Sequence, residues 1–262
     1  MNLDLDGKRA LVCGSSQGLG RACAIQFARM GASVTLFSRN RDKLEAVASE
    51  LDKSPKQTHH VLVADFTDTD AVRKAVDDHV NTTGPFEILI NNSGGPPPGS
   101  ALDADVSDYM VAVNMHLLTF QHLVQALVPG MRETGYGRII NVISTSVKQP
   151  IAGLGVSNTV RGAVANWSKT LAGELGPYGI TVNNLLPGAT ETDRLETIMG
   201  NRAKRENTTL EAIADADKQK IPMRRFARPE EFADAAAFLA SPSAGYITGI
   251  NLPVDGGRTL CL

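Results

Sequence analysis

Short, nearly unbroken apolar runs alternate along this chain with longer segments in which apolar residues recur at helical spacing. The β-branched runs at Arg9–Cys13, Ser33–Ser38, 58–64, 86–91, 137–143 and 180–185 predict strands. Between them, 19–30, 42–51, 70–80, 106–132 and 157–175 predict helices. Strands that are apolar on both faces belong to a parallel sheet covered on each side, since a half-solvated sheet would alternate apolar with polar. Right-handed strand–helix–strand crossovers then give an α/β fold, a doubly wound parallel sheet with ligands at the carboxyl ends of its strands.

The rhythm breaks at 191–225, which is charged and helix-prone and interrupted at Met199 and Gly200. Long insertions in compact domains are usually functional, so a substrate lid is expected here, with a solvated surface excursion as the alternative. Nothing in 1–262 reads as a linker, and one domain is expected.

Composition narrows the partners. A net charge of −2 gives no electrostatic reason to expect nucleic acid or an anionic membrane. No uninterrupted apolar run approaches the ~20 residues of a membrane span, and residues 1–6 lack the pattern of a secretory leader. Cys13, Cys23 and Cys261 have no framework spacing, which suggests a reducing cytoplasm. The histidines are scattered, and the adjacent His59 and His60 point to opposite faces of a strand, so no metal site is expected.

The candidate chemistry starts at the first strand. In Gly14-Ser15-Ser16-Gln17-Gly18-Leu19-Gly20 the chain leaves a strand, turns on glycines and opens a helix. Gly14 permits the tight turn, Gly18 a close approach of backbone to ligand, and Gly20 close packing of helix on strand. The free N–H groups of that helix then face a pyrophosphate.

The spacing Gly-x-x-x-Gly-x-Gly resembles that of the short-chain dehydrogenase/reductase family. Further segments carry the resemblance over essentially the whole chain: Asn91-Asn92-Ser93-Gly94, similar to an Asn-Asn-Ala-Gly signature; Asp65 with Phe66 after the third strand; and Pro187-Gly188-Ala189-Thr190-Glu191-Thr192. Arg228-Pro229-Glu230-Glu231, Tyr246-Ile247-Thr248-Gly249 and Val254-Asp255-Gly256-Gly257 resemble the β-ketoacyl carrier-protein reductase branch. The resemblance implies a Rossmann-type fold and a nicotinamide cofactor held by Gly14, Ser16, Gln17, Gly18, Leu19, Gly20, Ser38, Arg39, Asp65, Phe66, Asn92, Ser93, Gly94, Pro187, Gly188, Thr190 and Thr192. It also implies a homotetramer. At the end of the second strand Ser38 stands where an Asp would select NAD(H), and Arg39 follows, so NADP(H) is the expected cofactor. The alternative for Arg39 is a surface pair with Asp42 or Glu45.

The family's catalytic set is only partly present. Ser144 matches the serine and Asn114 the asparagine of a water-linked proton relay. Thirteen residues after Ser144, where the resemblance implies tyrosine, stands Ser157; four further, where it implies lysine, stands Arg161. A serine hydroxyl is far less acidic than a phenol, and arginine does not release a proton at ordinary pH. The expected activity is therefore NADP(H)-dependent interconversion of a small-molecule carbonyl and alcohol through an altered relay of Asn114, Ser144, Ser157 and Arg161. Alternatives are a catalytically silent NADP(H)-binding protein or partner subunit, and a dehydratase or enoyl reductase.

Overall fold

A computed structural model describes residues 1–261. Seven parallel strands lie in the order β3-β2-β1-β4-β5-β6-β7: β1 Arg9–Cys13, β2 Ser33–Ser38, β3 His60–Val63, β4 Ile88–Asn91, β5 Gly137–Val142, β6 Ile180–Pro187 and β7 Asn251–Val254. The intervening helices are α1 Gly18–Arg29, α2 Arg41–Ala48, α3 Thr69–Thr83, α4 Val106–Val113, α5 Thr119–Thr134, α6 Gly155–Leu175, α7 Asp193–Glu206, α8 Leu210–Gln219 and α9 Pro229–Ala240. Successive β1 residues serve opposite cores: Ala10 and Val12 pack with Phe27 and Phe232, whereas Leu11 and Cys13 pack with Phe120 and Leu127. This explains why the strands read as continuous apolar runs. Chain order reverses between β1 and β4, opening a crevice at the carboxyl ends of these strands.

Two elements escape the hydrophobic pattern. Helix α9 opens with Pro229 at its first position, and Glu231 accepts the Arg228 N–H at 2.8 Å, a start signal in the sequence that periodicity alone does not register. Strand β7 is short and carries Pro253; it pairs only with β6, an edge position where a missing N–H is tolerated.

The helix expected over 106–132 is interrupted by a π-helical turn at Asn114–Leu118. The Thr119 N–H and its Oγ1, the latter at 2.9 Å, both donate to the Asn114 carbonyl. One extra residue in a turn hardly disturbs the apolar spacing on either side, so the interruption is invisible in the pattern. By length and apolar composition alone Val106–Thr134 could cross a bilayer. Here Phe120, Leu123, Leu127 and Met131 of this stretch are buried in the protein's own core.

At the carboxyl-terminal half of the sheet, Asn91, Asn141, Asn184 and Asn251 occupy paired positions on four adjacent strands. Each donates from Nδ2 to the next Oδ1: Asn91 to Asn141 at 2.8 Å, Asn141 to Asn184 at 3.0 Å, Asn184 to Asn251 at 2.8 Å. Asn141 also donates to Ser168 Oγ of α6 at 3.1 Å.

Region 191–225 is neither featureless nor simply solvated. Helices α7 and α8 enclose a small apolar cluster of Met199, Ala203, Ile213, Ile221 and Phe226, and Arg202 pairs with Asp217 at 2.8 Å.

Candidate active site

The glycine turn is built as a cradle. Gly14 and Gly18 have φ of +61° and +58°, in the left-handed region where a side chain is strained. A Cβ on Gly14 would stand 2.6 Å from Asn92 Nδ2, and one on Gly20 would overlap the Gly14 carbonyl. Ser15, buried, accepts the Phe37 N–H at 2.9 Å and ties the turn to β2, while Leu19 packs on the core below. Ser16 is half-buried in the turn. Gln17 caps α1 in an extended conformation with no side-chain bond to the helix, so the first N–H groups of α1 face outward, and its Oε1 accepts from Lys43 at 3.2 Å.

Asn92 acts here on the cradle itself, donating to the carbonyls of Cys13 at 3.3 Å and Gly14 at 3.4 Å. Opposite, Thr192 lies 3.6 Å from where a Gly18 Cβ would stand, caps α7 through the Leu195 N–H, and donates to Thr190 O at 3.2 Å. Pro187 ends β6, and Gly188 passes so close to Asp255 that a Cβ would lie 2.6 Å from its Cα. Thr190 is buried beneath, donating to Gly188 O at 3.4 Å.

At the end of β2, Ser38 Oγ is buried without a hydrogen-bond partner among the described residues. Arg39 is exposed and reaches Asp65 at 3.7 Å, not Asp42 or Glu45. Asp65 accepts the Thr67 N–H and hydroxyl at 2.9 and 2.8 Å, which, ahead of Arg39, hold its carboxyl below the usual range. Phe66 packs on Phe37 with ring centroids 4.9 Å apart. A cradle that tolerates no Cβ, an open helix end and an orphaned buried hydroxyl together fit a dinucleotide. Gly94 stands exposed in the loop beyond β4.

On the other side of the crevice, Ser144 follows β5 and its Oγ accepts the Ser146 N–H at 3.0 Å. Ser157 is half-buried in the first turn of α6. Arg161, one turn on, is 6% exposed and donates from Nη1 to the Val142 carbonyl at 2.9 Å, so it faces the sheet rather than solvent. Asn114 lies on the π turn with its carbonyl already accepting both Thr119 donors, so any water it holds would use the side-chain amide.

Two further residues join this set. His116, fully buried on the π turn, shares a 2.6 Å hydrogen bond between Nδ1 and Ser93 Oγ, and its Nε2 has no partner among the described residues. The guanidinium of Arg194 lies against Gly95, where a Cβ would stand 2.9 Å from its Cζ. Burial, then the charges of Arg161 and Arg194, push His116 down to about 2, so the ring is neutral. Burial, then Arg194, lowers Arg161 to about 10. The signals for these residues were present: His116 two after Asn114, Arg194 two after Thr192. Neither matches a family motif, and each gains meaning only when the fold brings α7 over the loop after β4. Among the described residues, no group of three or more His, Cys, Asp or Glu is placed to hold a metal.

A family model described as Enoyl-(Acyl carrier protein) reductase matches residues 14–259. The chain belongs to the short-chain dehydrogenase/reductase family and is an oxidoreductase of that fold. It is 32% identical over 251 residues to the NADPH-dependent reductase BacG of Bacillus subtilis (strain 168), covering 95% of this chain and 97% of that one. It is 31% identical over 256 residues to the 7alpha-hydroxysteroid dehydrogenase of Escherichia coli (strain K12), covering 98% and 96%. The crystal structure of L-sorbose reductase from Gluconobacter frateurii, complexed with NADPH and L-sorbose, superposes with a TM-score of 0.94 at 31% identity over 100% of both chains.

Proposed function

We propose that this protein is an NADP(H)-dependent oxidoreductase that interconverts a carbonyl and an alcohol without an aromatic proton donor. The observation that carries the proposal is the Arg161–Val142 bond, which holds the arginine against the end of β5, two residues before Ser144, rather than in solvent. When bound, the nicotinamide supplies or takes up a hydride. Ser144 Oγ donates to the substrate oxygen, and Arg161 keeps the surroundings positive as negative charge develops there. A water held between Ser157 Oγ and the free edge of Arg161 delivers the proton to that oxygen and is replenished from solvent. General acid catalysis contributes about 10²–10⁴-fold, so slower turnover than with a phenol is expected.

The preference for NADP(H) is supported by Ser38, which adds no negative charge at the 2′ position, and by Arg39, whose long, exposed contact with Asp65 leaves it able to turn onto a phosphate. NADPH dependence in the relative BacG points the same way. Helices α7 and α8 are proposed as the substrate lid. A homotetramer is proposed from the exposed apolar side chains Val106, Met110, Val111 and Leu118, and sedimentation as a monomer would rule it out.

The test is NADPH oxidation with aldehydes, ketones, β-ketoacyl thioesters and sugars, by the natural protein and by the double variant Ser157→Tyr/Arg161→Lys. Turnover by the natural protein that the double change does not improve supports the altered relay. Turnover by the double variant alone makes the natural protein a silent NADP(H)-binding chain. Product analysis separates carbonyl reduction from reduction of a conjugated double bond.

A further inference from the structure

We infer that the substrate carries a carboxylate, gripped across the cleft between Arg161 on α6 and Arg194 on α7. This rests on the proposed carbonyl–alcohol chemistry and adds to it the chemical class of the substrate. Arg161 is buried, yet among the described residues its side chain has one hydrogen bond, to the Val142 carbonyl, which leaves most of a multidentate donor unused. Arg194 stands at the start of α7, against the loop after β4. Its guanidinium fills the space beside Gly95 that any side chain would take, so the loop after β4 is shaped to admit it.

The charge of Arg194, after burial, lowers Arg161, and both act on His116, whose ring bonds Ser93, two residues before the Gly95 that Arg194 lies against; among the described residues neither guanidinium pairs with a carboxylate. His116, close to both, is neutral and adds no counter-charge. Arg161 is buried and Arg194 exposed, and like charges brought near one another at such a boundary raise the free energy of the empty site. An anion relieves that cost, and a planar carboxylate with two oxygens matches two guanidinium forks. The cofactor's pyrophosphate is already provided for by Gly14, Gly18 and the open end of α1. A carboxylate held here would fix the reacting carbon beside Ser144 and Ser157, where positioning compensates part of the weak proton donor.

NADPH is first titrated into the protein alone by its fluorescence; failure to bind at this stage defeats the cofactor reading, independently of any result with acids. The loaded protein is then titrated with 4-methyl-2-oxopentanoate and cinnamate and with their methyl esters. The acids are expected to bind about tenfold or more tightly than the esters, with the preference weakening as salt rises. Arg194→Gln should erase most of that preference while leaving the dissociation constant for NADPH within about twofold; Arg161→Lys, which keeps the charge, should reduce it only in part. The inference is overturned if acids and esters bind equally, if no acid binds, or if Arg194→Gln weakens NADPH and leaves the acid-to-ester ratio unchanged.

Discussion

Arg161 Nη1 and the Val142 carbonyl meet at 2.9 Å, joining the second turn of α6 to the last residue of β5, two residues before Ser144. A lysine, a compact point charge with fewer donors, could not hold this carbonyl and present a second edge to the cleft in the same way. Arg161→Ala would leave the carbonyl without its side-chain donor and open a polar gap. A loss of about 1–3 kcal/mol in unfolding free energy is expected from urea titration. A change within about 0.5 kcal/mol, typical of an exposed position, would return Arg161 to the helix surface.

Arg39→Ala tests cofactor choice. The guanidinium is exposed and its ion pair with Asp65 is long, so removing it should hardly change stability. Losing a charge-assisted bond to a 2′-phosphate should raise the dissociation constant for NADPH by about tenfold or more, whereas that for NADH should move little. Calorimetric titration with both nucleotides measures the difference, and equal effects on the two would remove Arg39 from discrimination.

Much of this protein was legible because burial on both faces of a parallel sheet leaves a blunt signature. Six strands and the glycine cradle follow from apolar runs and from the residues that break them. The seventh strand and α9 were missed because Pro253 and an alanine-rich helix mute the contrast on which periodicity depends. At the site, Ser144, Ser157 and Arg161 could be placed by the resemblance of one stretch of chain to the family's catalytic segment. Arg194 and His116 could not, because their relation to Arg161 is set by how α7 and the π turn fold over the crevice. The long-range pairing of Asn92 with the Gly14 turn was equally hidden, since an amide in a motif does not announce whether it holds a ligand or the backbone.

His116 gives stability a pH dependence with a defined sign. Its folded value is pushed down to about 2, by burial first and by Arg161 and Arg194 after it, while the unfolded ring titrates near 6.5. Between these values the unfolded chain binds the additional proton. The contribution is therefore complete above about pH 6.5 and is lost as the pH falls below it, by up to about 1.4 kcal/mol per pH unit. His79, lowered to about 4 by burial, then His60 and Arg9, acts in the same direction. Melting temperatures at about pH 7.5 and 5 should differ less in His116→Gln than in the natural protein; an unchanged difference would show that the buried ring is not what titrates.

The asparagine row makes the sharpest claim about how the site is kept in register. Asn141 sits in its middle, accepting from Asn91 and donating to both Asn184 and Ser168, all of them buried. Asn141→Leu keeps the branched side-chain skeleton, but its methyl groups are bulkier than the amide atoms, so part of its cost is overpacking, about 1–3 kcal/mol. It would strip a partner from three polar side chains that water does not reach, each an unsatisfied group costing about 1–3 kcal/mol. Neighbouring costs are not additive, and a total of about 3–5 kcal/mol is expected in urea unfolding. Asn141→Asp supplies two acceptors but no donor, so it would keep the bond from Asn91 and turn against Asn184 Oδ1; it should be destabilised at neutral pH and recover as the carboxyl protonates in acid. Because β4 and β5 carry Asn92 and Ser144 just beyond this row, variants that still fold should bind NADPH more weakly. If Asn141→Leu unfolds at the natural urea concentration, the row is incidental and the carboxyl-terminal half of the sheet is held by its backbone ladder alone.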